Sequence, residues 1–116
     1  MGVSHKIINK IFSRRISEIE RFMKEPLSVQ QCQFRNLIAH LSNCEYGKVN
    51  GITKDATYDE YVQKIRVSEY ADLEEYINKT RQGEANIIWD KPIKWYAKSS
   101  GTTTGKSKFI PVSHDS

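Results

Sequence analysis

The segment Ser99-Ser100-Gly101-Thr102-Thr103-Thr104-Gly105-Lys106-Ser107-Lys108 gathers hydroxyls, two glycines and two lysines, with no acid among them. Those residue types suit a loop that wraps phosphate oxygens. Glycine lets backbone N–H groups approach an anion closely, and successive N–H groups in tight turns form an anion-binding concavity. Serine and threonine hydroxyls add donors, and lysine adds a point charge. The Walker A loop, G-x-x-x-x-G-K-[ST], is the obvious competitor. Gly105-Lys106-Ser107 matches its end, but its first glycine should stand at position 100, which is Ser100, and Gly101 is one residue too close. A Walker loop also runs from a strand into a helix whose N-terminus holds the phosphates. Here Phe109-Ile110-Pro111-Val112 leads into an extended segment, and Pro111 opposes a continuous helix.

Other chemistry-bearing residues read as structural. Cys32 and Cys44 have no second pair, so they make no zinc pattern and read as reduced thiols. His5, His40 and His114 share no metal-ligand spacing. The acid pairs Asp59/Glu60 and Glu74/Glu75 stand beside helix starts, where carboxylates are favoured without any catalytic role. Trp89, Trp95 and Tyr96 could stack on a base, but core packing around a hairpin is the preferred use. No catalytic side chain and no metal ligand is assigned.

Helices must precede the loop. Ile8, Phe12, Ile16, Ile19 and Met23 recur at helical spacing over residues 4–24, and Pro26 stops that helix. Its apolar face is expected to pack onto the rest of the protein. Ser28-Val29-Gln30-Gln31 has the form of a capping box, opening a second helix near Val29 with Phe34, Leu37, Ile38 and Leu41 as its apolar face. Residues 45–56 are turn-rich around Asn50-Gly51. Capping boxes at Thr57–Glu60 and Asp72–Glu75 open two more helices, to about Arg66 and through Arg81, the latter ended by Gly83. The period then changes. Ile87-Ile88-Trp89 is β-prone, and Ile93–Lys98 and Lys108–Ser113 read as strands, with Pro111 suited to an edge. The expectation is an α+β fold: residues 1–82 mainly helical, residues 83–116 a hairpin-like strand–loop–strand unit carrying the phosphate loop at its tip.

Composition narrows the classes. The chain has 116 residues, 38% hydrophobic and 28% charged, with net charge +4, which fits one small globular domain. The positive excess lies at Lys6, Lys10, Arg14, Arg15, Arg21 and Lys24, without interleaved stacking aromatics, so no nucleic-acid partner is expected. No run approaches the ~18 apolar residues of a membrane span, and the N-terminus has no secretory apolar stretch. No membrane partner and a cytoplasmic location are expected.

The pattern Ser-Ser-Gly-Thr-Thr-x-Gly-x-x-Lys resembles the phosphate-binding loop of acyl-adenylate-forming enzymes. With the extra residue before the second glycine and the closing Phe109-Ile110-Pro111, it is similar to the auxin-responsive promoter family of acyl acid–amido synthetases. Upstream, Glu45-Tyr46-Gly47-Lys48, Tyr58-Asp59-Glu60-Tyr61, Ile65 through Leu73, Tyr76-Ile77 and Ile87 through Lys94 carry the same resemblance, which covers about residues 30–113. Many members have proline where Ser107 stands, a departure that removes no phosphate donor.

That resemblance implies a ligase. A carboxylic acid attacks ATP to give an acyl-adenylate and pyrophosphate, and an amino acid or other amine then takes the acyl group. It implies Ser99, Ser100, Thr102 and Thr103 as donors to the ATP phosphates, Gly101 and Gly105 as turn formers, and Lys108 as an electrostatic contact. It also implies that Mg²⁺ takes part and that its ligands, the adenine site and the acyl pocket lie outside these residues. The chain is then the N-terminal part of a larger α/β adenylating domain, inactive by itself. The alternative is a stand-alone anion- or nucleotide-binding or interaction module without catalysis.

Overall fold

The computed structural model describes residues 2–100 and 105–115. It is mainly helical with one two-stranded antiparallel sheet, an α+β arrangement. Five helices, α1 (Gly2–Lys24), α2 (Pro26–Asn43), α3 (Glu45–Val49), α4 (Tyr58–Lys64) and α5 (Tyr70–Arg81), are followed by strands β1 (Trp95–Ser99) and β2 (Lys108–Val112). The chain divides into two units, Met1–Arg35 and Asn36–Ser116.

The first unit holds α1 and the start of α2. Pro26 ends one helix and opens the next, because a proline at the first helical position loses no intrahelical N–H bond. Helical bonding reaches both sides of the break: Glu25 N–H donates to Arg21 O at 2.9 Å and Val29 N–H to Glu25 O at 3.1 Å. Ser28 therefore lies inside α2 rather than capping it, which corrects the expected start near Val29. Ile8, Phe12, Ile16 and Ile19 are all exposed, so none of the described residues of this unit supplies the expected cover for the stripe.

In the second unit, Ile38, Leu41, Cys44, Ile52, Ala56, Ile77 and Ile87 form the buried core. Each fully buried isoleucine contributes about 1.5–3 kcal/mol relative to exposure. Burial also pushes the Cys44 thiol above its usual range, while its hydrogen bonding to nearby backbone works in the other direction. Cys32 is exposed and Cys44 buried, both as free thiols.

Residues 45–56 contain a helix as well as the expected turn. α3 has no side-chain cap. Instead, Glu45 N–H donates to Asn86 O at 2.7 Å and Tyr46 N–H to Ile87 O at 3.0 Å. This also corrects the β-prone reading of Ile87-Ile88-Trp89. Two carbonyls at that stretch cap a helix end, and the three residues form bends rather than a strand. Lys79 of α5 reaches back to Glu45 Oε1 at 2.8 Å, and Tyr46 and Tyr76 meet edge to face at 5.1 Å between centroids. The Glu45 carboxylate raises the Lys79 ammonium above its ordinary value.

α4 starts where the sequence predicts. Thr57 Oγ1 accepts from Glu60 N–H at 3.3 Å, and Thr57 N–H donates to Glu60 Oε2 at 2.8 Å. The backbone N–H of Thr57 lowers the Glu60 carboxyl. α5 begins earlier than expected. Asp72 is its third residue rather than its cap, and Asp72 Oδ2 accepts from Glu69 N–H at 3.0 Å. The helix runs through Arg81, as predicted, and Gly83 follows at φ +93°.

Candidate functional site

The hairpin places the glycine/threonine segment. β1 and β2 pair antiparallel in the register Trp95↔Val112, Tyr96↔Pro111, Ala97↔Ile110, Lys98↔Phe109 and Ser99↔Lys108. The last pair closes the connection: Ser99 ends β1, Lys108 begins β2, and residues 100–107 join them. Ser99 and Lys108 are half-buried, and Ser100 and Gly105 are exposed. Gly101, Thr102 and Thr103 lie outside the described residues. Gly105 has φ +68°, and a Cβ there would meet nothing within 4 Å. Conformation rather than space therefore favours glycine, since a side chain in this region costs about 1–2 kcal/mol.

Helix α5 supports the hairpin. The Tyr70 hydroxyl accepts from Phe109 N–H at 3.0 Å and donates to Phe109 O at 3.3 Å. The Arg81 guanidinium lies 3.9 Å from the centre of the Phe109 ring, and Lys108 Nζ stands 5.6 Å from the centre of the Tyr70 ring. Both distances fall within cation–π range. Beside these contacts opens a cleft of about 560 Å³, lined by Glu69, Tyr70 and Glu74 on one side and by Lys106, Ser107 and Lys108 on the other. Two lysines at the end of the connection thus face two carboxylates at the start of α5. The cleft therefore carries groups of both signs rather than a purely cationic lining. Among the described residues, no group of three or more His, Cys, Asp and Glu side chains is gathered to hold a metal ion.

The other end of the hairpin is tied to α2. His40 Nδ1 lies 2.6 Å from Asp90 Oδ1, and Asn43 Nδ2 donates to Asp90 Oδ2 at 3.4 Å. The Trp89 ring stacks on His40 at 4.3 Å, while its Nε1–H donates to Asp115 Oδ2 at 3.2 Å. Lys91 Nζ donates to Asp115 Oδ1 at 2.9 Å. His40 and Asp90 stand 50 residues apart in the chain, so no local spacing announces the pair. Trp89 thus packs as expected, but Trp95 does not. It is 72% exposed, on the hairpin face opposite the one carrying Phe109, while the Tyr96 hydroxyl is buried and, among the described residues, has no hydrogen-bond partner. Burial raises the Tyr96 phenol, against the lowering effect of Arg81.

Lys91 first, then Trp89, hold the Asp115 carboxyl below its ordinary value. A lowered folded-state value means stability that is fully present above the ordinary carboxylate range, about pH 4, and is lost as pH falls through the lowered value. Asp115→Asn should therefore destabilise the protein at neutral pH. Its urea-unfolding midpoint should converge on that of the parent as pH falls through the lowered value. A constant offset across the whole pH range would show that the carboxylate charge is not what matters there.

Among the described residues, no helix is long and apolar enough to cross a membrane. The family model described as "GH3 family N-terminal domain" matches residues 15–116. A jasmonoyl–L-amino acid synthetase of Oryza sativa subsp. japonica is 30% identical over 96 residues, which are 82% of this chain and 21% of that protein. An indole-3-acetic acid-amido synthetase of Arabidopsis thaliana is 31% identical over an alignment of 124 positions that covers 97% of this chain and 22% of that protein. A jasmonoyl–L-amino acid synthetase of Nicotiana attenuata is 28% identical over 101 residues, 86% and 17% respectively. The chain spans about a fifth of the length of these relatives. No solved structure matches it significantly.

Proposed function

Since the chain belongs to the GH3 family, matching its N-terminal domain over residues 15–116, we propose that it supplies the ATP phosphate-binding loop of an acyl acid–amido synthetase. In the proposed reaction a carboxylate oxygen bonds to the α-phosphorus of ATP as the bond to the bridging oxygen breaks, and pyrophosphate leaves. An amine then attacks the acyl carbon of the mixed anhydride, losing a proton as AMP departs. The relatives named above are synthetases of jasmonoyl and indole-3-acetic acid conjugates, so a carboxylic acid and an amino acid are the substrate classes proposed here.

The observation that carries this reading is the Ser99↔Lys108 register, which closes an acid-free, hydroxyl-rich connection beside a cleft lined by Lys106 and Lys108. Phosphoryl and nucleotidyl transfer need positioned donors and charge neutralisation more than covalent help from the protein. In that role Ser99, Ser100, Thr102 and Thr103 donate to phosphate oxygens, Gly101 and Gly105 shape the turns, and Lys108 neutralises charge. Mg²⁺, when bound with ATP, would offset further phosphate charge. Glu69 and Glu74 are the carboxylates lining the cleft, too few for a protein-held metal site, so its ligands would be phosphate oxygens, water and residues elsewhere. The proposal places the chain in the cytoplasm, where ATP is abundant.

Acid-dependent exchange of labelled pyrophosphate into ATP, measured on the full polypeptide, tests the assignment. Ser100→Ala and Thr102→Ala should each slow exchange about tenfold or more, the usual scale for a lost hydrogen bond to a charged group. Unchanged exchange in both variants would remove the loop from the phosphate site.

A further inference from the structure

A β-strand at the edge of a sheet leaves a row of N–H and C=O groups without a neighbour. On β2 that row is closed in an uncommon way. Residues of an antiparallel strand alternate between facing their partner and facing outwards. Phe109 faces outwards, because its N–H and C=O both meet the Tyr70 hydroxyl, at 3.0 Å and 3.3 Å. One phenol thus satisfies both groups that an adjoining strand would otherwise satisfy. The next residue of the same parity is Pro111, which has no N–H to leave unpaired. The outer edge of β2 therefore offers an incoming strand no free N–H at either position.

The hydroxyl is also a ruler. It projects from the first residue of α5 and grips the backbone one residue after Lys108, while the ring of the same side chain lies 5.6 Å from Lys108 Nζ. A one-residue slip of β2 would offer Tyr70 a backbone pair that faces β1 instead of outwards. The helix and the strand register are thus coupled through a single side chain, 39 residues away in sequence.

We propose that Tyr70 is a positioning residue for the phosphate loop: through Phe109 it sets where β2 begins, and so where Lys108 and the end of the loop stand. This inference rests on the phosphate reading given above. Tyr70→Phe is the informative variant, because it keeps the ring beneath Lys108 and removes only the hydroxyl. On the full polypeptide, inorganic tripolyphosphate binding is measured by calorimetry, and amide hydrogen exchange is followed residue by residue. The expected result is about fivefold weaker tripolyphosphate binding, the net scale of the hydrogen bonding that the hydroxyl makes to Phe109. It comes with faster exchange confined to Phe109 and residues 105–108, while the core amides of Ile38, Leu41 and Ile77 keep their protection.

Lys108→Ala, measured in parallel, separates the two claims. If it weakens tripolyphosphate binding and Tyr70→Phe does not, the positioning role is wrong and the loop reading stands. If neither variant changes binding, the loop reading fails and the inference goes with it. Loss of protection throughout the core in Tyr70→Phe would reduce Tyr70 to a general packing residue, and this too would overturn the proposal.

Discussion

Gly47→Ala is expected to destabilise the second unit by about 3 kcal/mol or more, the upper range for overpacking. Gly47 is buried in α3, where its Cα comes close to the Leu41 backbone near the end of α2. A Cβ built there would lie 1.7 Å from the Leu41 carbonyl oxygen and 2.5 Å from its carbon. Both atoms are backbone, so no side-chain rotation relieves the overlap. Either α2 or α3 must shift, and each is fixed. The first N–H groups of α3 are held by Asn86 O and Ile87 O, and Gly47 O accepts from Ile52 N–H at 2.9 Å. Moving α3 would therefore strain the capping stretch that leads into the hairpin and the turn beyond it. For a unit of this size, 3 kcal/mol corresponds to a fall in Tm of about 15 °C. Gly83→Ala and Gly105→Ala are the controls, since a Cβ at either meets nothing within 4 Å and only the left-handed backbone is penalised. A Gly47→Ala midpoint no lower than those of the controls would show that the close approach relaxes without cost.

How much of the fold is legible in the sequence depends on how far away the deciding partner of each segment lies. Where a signal is local, the sequence reading holds. Thr57 and Glu60 satisfy each other's backbone across one helical turn, so the box and the helix it opens are visible in four residues. The hairpin is visible for a similar reason: alternating β-formers flank a glycine-rich connection, and Pro111 falls at an outward position where its missing N–H does no harm. Where the deciding partner is distant, the reading fails. Ile87-Ile88-Trp89 has strand composition, but the first turn of α3 claims two of the local carbonyls from about 40 residues away. α5 opens at Tyr70 because Asp72 turns back to Glu69 N–H, a competing cap that overrides the Asp72–Glu75 pattern. The candidate site divides along the same line. Its hydroxyls, glycines and lysines are readable from residues 99–108, whereas the Tyr70 clamp and the Glu69 and Glu74 wall exist only once α5 docks against β2.

Lys108→Ala should lower kcat/KM for ATP in pyrophosphate exchange by about a hundredfold, the scale of removing one preorganised donor from a developing charge. Lys106→Ala should lower it by less than about threefold. The two lysines line the same cleft but are held differently. Lys106 is exposed, in the connection itself, and an unrestrained ammonium loses much of its gain to side-chain ordering and solvent screening. Lys108 is half-buried, its backbone is set by the pairing with Ser99 and by the Tyr70 grip on Phe109, and its ammonium stands over an aromatic ring. Part of its ordering cost is thus met by folding, so more of its electrostatic energy reaches the phosphates. A reversal, with Lys106→Ala the damaging change, would overturn the assignment of Lys108. Equal losses in both variants would mean that the cleft acts through its summed positive charge. The difference from the parent would then shrink steeply between low and physiological salt, whereas a single preorganised contact at a half-buried lysine keeps most of its effect.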